Sequence, residues 1–324
     1  MRCNTWLSVL MLTAAVASAQ INDSLYLSRA EFTDAGRPRY TFTGSTPRRV
    51  TDVQLLPTVI IGTAYTGLIV GLQMQMSNSW WERNGSFHVQ EDGGYARYID
   101  KPGHFFTGFT MSTIMGDALM ECGFDYTTST WLGASVGLAY MTMVEIQDGY
   151  AVSWGFSPSD ALSNFTGAAF YAARNLVPAL QNVTPRWSYV PAHLAGDRAT
   201  TERPLTIFDD YNATTFWLNF NVENMLPASL ATHWPDWMTL SVGYGCRDYE
   251  VRDPASGAML PVKRRMMIGI DYDWLKIIPE SSVGVLNYVR QGLNYIRIPG
   301  PTLEFGDDGV RFAILYPFAV VVPL

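Results

Sequence analysis

From Val53 to Met76 the chain reads VQLLPTVIIGTAYTGLIVGLQMQM, with no charged residue after Asp52. At ~1.5 Å per residue, such a run approaches the roughly 20 apolar residues that cross a bilayer core. A helix made of it has no polar face to turn toward water, so protein or lipid must cover it. Two placements follow, a membrane helix or the core helix of a bundle. Gly62, Gly67 and Gly71 suit either, because each lets another helix approach closely.

The rest of the chain leans the same way. Of 324 residues 48% are hydrophobic and only 16% charged, which excludes a disordered or wholly solvated chain. That length supports one large domain or two ordinary ones. A net charge of -7, without a zinc knuckle or Arg-rich arm, provides no basic field for phosphates, so nucleic acid is not an expected partner.

At the N-terminus, MRCNTWLSVLMLTAAVASAQ has one Arg, an apolar core from Trp6 to Val16 and then Ala17-Ser18-Ala19. This predicts a signal peptide over 1–19, cleaved after Ala19, and an exported protein in the bacterial periplasm or membrane-associated cell envelope. Cys3 precedes the apolar core, so it is no lipobox cysteine. Cys122 and Cys246 could pair in an oxidising compartment, but cysteines so far apart in sequence are more often separate buried thiols.

Residues 20–52 read as a polar leader, rich in Arg and turn formers. Residues 53–178 predict a bundle of about four largely apolar helices, with stretches near Gly103 to Glu121, Thr128 to Gln147 and Pro158 to Leu176 after the first. Between the first two helices, Trp80, Trp81, Phe87 and Tyr95 mix aromatics with polar groups, as at a membrane boundary or in an ordinary loop.

Residues 179–324 switch to a period of two. Phe216, Leu218, Phe220 and Val222 alternate on one face, as do Met238, Leu240, Val242 and Tyr244, and later Phe312, Ile314, Tyr316 and Phe318. Four or five strands are legible, fewer than the roughly 8 of a closed outer-membrane barrel. The predicted fold class is therefore α+β, an apolar helical bundle followed by an antiparallel β-sheet. The sheet's apolar face is expected to pack on the helices or against a membrane, shielding Trp217 and Trp274.

Polar residues gather at helix ends. Asp100, Lys101 and His104 begin one helix, Glu145 and Asp148 end the next, and Ser157, Asp160 and Asn164 begin the last. Short connections bring the last two groups together, and the first joins them if its helix enters the bundle at the same end. Each has a structural explanation: Ser157-x-x-Asp160 approximates a capping box, Asp100 suits a helix entry before Pro102, and Asn164 with Gly167 can seat a helix crossing. Glu145 is the hardest to dismiss. It follows an apolar run with no basic neighbour in sequence, and a carboxylate so placed needs a partner, a proton or a metal.

The same residues carry a resemblance. DKPGHF, EIQDG and GFSPSDALSNFTG, in that order, resemble the YfiM-type family of predicted periplasmic lipoproteins of unknown function. More distantly they are similar to VanZ-like membrane proteins, which share the DK-x-x-H and D-x-x-x-N-x-x-G helix starts. The resemblance spans roughly residues 95–175. It implies location and fold and lends no reaction, and the missing lipobox cysteine departs from the lipoprotein members.

Two classes of function stay open. One is a binding or structural protein of the envelope whose polar cluster faces a membrane lipid or another envelope component. The other is a hydrolase of a lipid or lipid-linked ester using His104, Glu145 and Asp160 in acid-base or metal chemistry. No nucleophile or oxyanion site is identifiable. The pattern names no cofactor, assigns no metal and leaves the oligomeric state open.

Overall fold

A computed structural model describes residues 25–81, 83–199, 206–318 and 321–323. The expected signal segment and its cleavage site lie outside the described residues.

The leader folds onto the body. After a short hairpin, β1 (Thr33–Asp34) with β2 (Arg37–Pro38), the buried Arg39 donates to Asp117 Oδ1 and to Asn175 Oδ1, both at 2.7 Å. An Arg taken out of water needs such partners, so this contact ties the leader to two bundle helices.

The uncharged stretch forms α1 (Leu55–Ser77), about 35 Å long at ~1.5 Å per residue, with no buried residue. Its contacts with the body include Ile69, Leu72 and Met76 against Trp81, Tyr140 and Val144. Among the described residues, α1 is the one helix long and apolar enough to cross a membrane.

Three helices make the bundle proper: α2 (Asp100–Glu121), α3 (Tyr126–Tyr150) and α4 (Pro158–Leu176). Asp125 caps α3 by accepting from Thr128 N at 3.0 Å, and Ser157 caps α4 ahead of Pro158 at its first position. Small residues allow the backbones to meet. A Cβ added at Gly167 of α4 would lie 2.1 Å from the Phe105 carbonyl oxygen of α2, and one at Gly108 would lie 2.7 Å from the Asn164 carbonyl oxygen. This crossing sets α2 and α4 close enough for short polar side chains to touch.

Strands β3 (Val183–Tyr189), β4 (Thr214–Phe220), β5 (Met238–Arg247), β6 (Lys263–Tyr272), β7 (Gly300–Gly306), β8 (Gly309–Tyr316) and β9 (Val321–Pro323) form one antiparallel sheet in sequence order. It holds more strands than the alternation revealed. β3 with its Pro185 and Arg186, and β7 with glycines at both ends, break the apolar pattern. The sheet is rolled: Trp217 of β4 meets Tyr316 of β8 with ring centroids 5.6 Å apart, and Ile296, ahead of β7, bridges to Trp187 of β3.

The roll turns its polar side inward. Asp271, fully buried, accepts from Ser241 Oγ at 2.6 Å and pairs with Arg186 at 3.1 Å, while the Arg297 guanidinium lies 3.9 Å from the centroid of the Trp217 ring. The alternating apolar residues point the other way. Leu218, Val242 and Ile268, neighbours across β4, β5 and β6, are all exposed. This face meets the body at Phe216, whose ring centroid lies 5.9 Å from that of Phe106 of α2, and at Tyr244, whose hydroxyl donates to the Arg97 carbonyl ahead of α2. Trp217 is buried, as expected, but on the polar inner side. Cys122 and Cys246 are separate buried thiols.

Candidate functional site

Where α2 and α4 cross beside the end of α3, their polar side chains converge. His104 is the hub. Its Nδ1 lies 3.1 Å from Asn164 Oδ1 and 3.3 Å from Glu145 Oε1, and its Nε2 lies 3.5 Å from Asp100 Oδ1 and 3.6 Å from Asp160 Oδ1. Asn164 completes the link by donating Nδ2 to Glu145 Oε1 at 3.2 Å. Lys101 forms a second hub, its Nζ at 2.5 Å from Asp160, 2.6 Å from Asp92 and 3.3 Å from Asp100.

The structure thus brings Asp100, Lys101, His104, Glu145, Asp160 and Asn164 into direct contact. Ser157 joins at the edge in two roles, donating to Asp92 Oδ1 at 2.6 Å and accepting from Asp160 N at 3.3 Å as the cap of α4. Asp148 lies one helical turn beyond Glu145 and accepts from Trp81 Nε1 at 2.6 Å. Asp100 sits in the first turn of α2 and accepts a 2.5 Å hydrogen bond from the buried Tyr211 hydroxyl.

Sequence reasoning missed Asp92 and Tyr211. Asp92 stands in a loop with no periodicity. Tyr211 comes from the sheet region, and nothing local in sequence pairs it with α2.

Five carboxyl groups thus share two basic groups, and burial decides who keeps a proton. Burial alone would depress His104, but the charges of Asp100, Asp160 and Glu145 outweigh it and hold the imidazole at about 10. Burial lifts Glu145 to about 8, with His104 offsetting part of the rise. Asp148 is raised to about 6 and Asp160 to about 7 by the same cause. Burial works against Asp100 too, yet His104 and Lys101 hold it well below the usual carboxylate range. At neutral pH the cluster therefore holds an imidazolium, an ammonium, ionised Asp100 and a largely protonated Glu145.

The chemical consequences are specific. An imidazolium held on both nitrogens is a fixed cation and a poor general base. Asp148 and Asp160, both raised toward neutrality by burial, line the cleft beside it. Asp100, His104 and Asp160 also present ligand atoms within 4.8 Å of one another, a grouping able to hold a metal ion. Lys101 Nζ already neutralises two of these carboxylates, so the arrangement is complete as an internal ion-pair network.

The cluster floors a cleft of about 280 Å³. Leu72 and Met76 of α1, Phe106 of α2, Met141 of α3, Trp154 and Phe216 contribute apolar walls, and Asp100, His104, Asp148 and Asp160 line its polar end. Thr214 lines it as well; it is fully buried, and its hydroxyl has no hydrogen-bond partner among the described residues.

Residues 85–176, less than a third of the chain, match the family model described as predicted periplasmic lipoprotein, DUF2279. The matched segment contains α2, α3, α4 and every ionisable member of the polar cluster from Asp92 to Asp160, while Tyr211 lies outside it, and the match fits an exported, envelope-associated protein of uncharacterised activity. No curated protein and no solved structure matches the chain significantly.

Proposed function

We propose that this chain is an envelope protein that binds an amphiphile at the membrane surface, with the apolar tail in the cleft and the head group at the His104–Asp160 end. The observation that carries this reading is the composition of the cleft. Its exposed lining is mostly apolar, and the ionisable cluster of Asp100, His104, Asp148 and Asp160 lines the same space, the pattern of sites that bury a hydrophobic ligand and orient it by a few polar contacts. Thr214, with a buried hydroxyl lacking a partner, offers one such contact. α1 forms one wall while much of its surface is uncovered, which supports entry from a lipid phase.

Binding is tested with the full chain and a phospholipid carrying a nitroxide on its acyl chain, which quenches the fluorescence of Trp80 and Trp154 beside the cleft. Met141→Trp fills the cleft and should weaken binding of the labelled lipid at least tenfold. Equal affinity in this variant would sink the reading.

A second reading, hydrolysis of a lipid-linked ester, is favoured by the position of Asp160, which lines the cleft with Oδ1 3.6 Å from His104 Nε2 and whose carboxyl burial raises to about 7. Fatty-acid release from phospholipid vesicles that disappears in Asp160→Asn, with lipid binding retained, would favour it over binding alone. The same release from wild type and variant would remove it.

A further inference from the structure

The rolled sheet is patterned inside out. Its interior holds the Arg186–Asp271 pair at 3.1 Å and the Arg247–Glu304 pair at 2.9 Å, while its outer surface carries a continuous apolar row, Leu218, Val242, Ile268, Leu303 and Phe312, across five strands. A water-facing sheet places these sets the other way round, with polar residues out and apolar residues on the core. Exposed apolar surface on this scale marks a surface that is covered in use.

The limits of the band identify what covers it. On β5 the apolar band runs through Leu240 and Val242 until Tyr244 is covered by the segment ahead of α2, and from Ile270 to Met266 on β6 it spans four residue steps, ~14 Å at ~3.4 Å per residue. That is about half of a ~30 Å hydrocarbon core, the depth of one leaflet. Just past Met266 come Arg264, paired with Asp307 at 3.3 Å, and Lys263, paired with Asp308 at 3.2 Å. Past Ile270 at the other end, Trp237 and Tyr272 stack with centroids 5.9 Å apart, followed by the Lys276–Asp236 pair at 3.4 Å. Charge closes one end, and amphipathic rings precede it at the other, the banding that membrane interfaces impose. A protein partner needs no such layering along a single direction.

We infer that this outer face lies in the hydrocarbon of a single leaflet, with the strands running along the membrane normal. The face is continuous with the cleft, because Phe216 belongs to both the outward row of β4 and the cleft wall opposite Leu72 and Met76 of α1. The placement holds whatever the cleft binds.

The test uses the full chain with Cys3→Ser and Ile268→Cys, and separately Cys3→Ser and Asp307→Cys, each labelled with a solvent-sensitive thiol dye; the native Cys122 and Cys246 are buried. On vesicles of phosphatidylethanolamine and phosphatidylglycerol, the dye at 268 should shift to the blue and lose iodide quenching several-fold, while the dye at 307 stays accessible. Iodide access at 268 that is unchanged by vesicles overturns the inference. Equal shielding at both positions overturns the one-leaflet depth. Shielding at 268 that needs no vesicles and grows with protein concentration assigns the face to a second copy of the chain instead. Failure of lipid binding in the Met141→Trp experiment leaves all of these outcomes readable.

Discussion

Nδ1 of His104 lies 3.3 Å from Oε1 of Glu145, and Asn164 binds the same oxygen at 3.2 Å, so α2, α3 and α4 are joined through one carboxyl group that is 1% exposed. Removing either member leaves the other buried without its partner. His104→Ala and Glu145→Ala are each expected to cost about 3 kcal/mol in denaturant unfolding. The double variant should cost less than the sum of the singles, by about 0.5–3 kcal/mol. Strict additivity would show that the two residues do not interact in solution.

Charge bookkeeping in the same cluster sets a pH dependence. His104 is raised to about 10, so its contribution is complete below its unfolded value of about 6.5 and is lost as pH rises through 10. Glu145 at about 8 and Asp160 at about 7 are acids raised above their unfolded values, so the native state holds more protons between the two values and loses stability as pH climbs through that range. Asp100 is depressed, and its contribution disappears only on strong acidification. The signs agree: the melting temperature should fall steadily from about pH 6 to pH 10. His104→Gln should flatten the upper part of the fall, and a melting temperature rising over that interval in the wild type would contradict the assignment.

How much of this was legible beforehand depended on whether the signal was local. Capping at Ser157, the helix start at Asp100 and the crossing at Gly167 were readable because each is a matter of spacing along one helix. Period two around Phe216, Val242 and Met238 marked strands correctly, but it could not say which side faces inward. Thr239, Ser241 and Asp271 occupy the alternate, polar positions, and the structure buries them, because their partners Arg186, Asn219 and Arg297 come from distant segments. Asp92 and Tyr211 were invisible for the same reason.

Gly167 and Gly62 give opposite predictions for the same kind of change. A side chain at Gly167 would press on the Phe105 carbonyl of α2, whereas nothing lies within 4 Å of a Cβ at Gly62. Gly167→Ala should destabilise by about 1–3 kcal/mol, because backbone must move. Gly62→Ala should be neutral, or stabilise by up to about 1 kcal/mol through helix propensity. Equal effects in thermal unfolding would mean that the α2–α4 crossing is looser than described.

Lys101 offers the most discriminating test of the cluster, because its ammonium touches Asp92, Asp100 and Asp160 at once. Lys101→Met keeps the length of the side chain and removes the charge, leaving three carboxyl groups to repel one another beside His104. Breaking a buried pair in this way costs about 3–5 kcal/mol; partial exposure of Lys101 and Asp92 places the expected loss at the lower end. The loss should also depend on pH in a definite direction. Without the ammonium the remaining carboxyls bind protons more readily, so acidification neutralises them and restores stability. The gap between variant and wild type should therefore narrow from pH 8 to pH 5. An alternative in which Lys101 merely packs its methylene stem against the helix predicts a small, pH-independent loss. Unfolding of both proteins in urea at the two pH values separates these outcomes, and a gap that widens on acidification would rule out the ion-pair network as the role of Lys101.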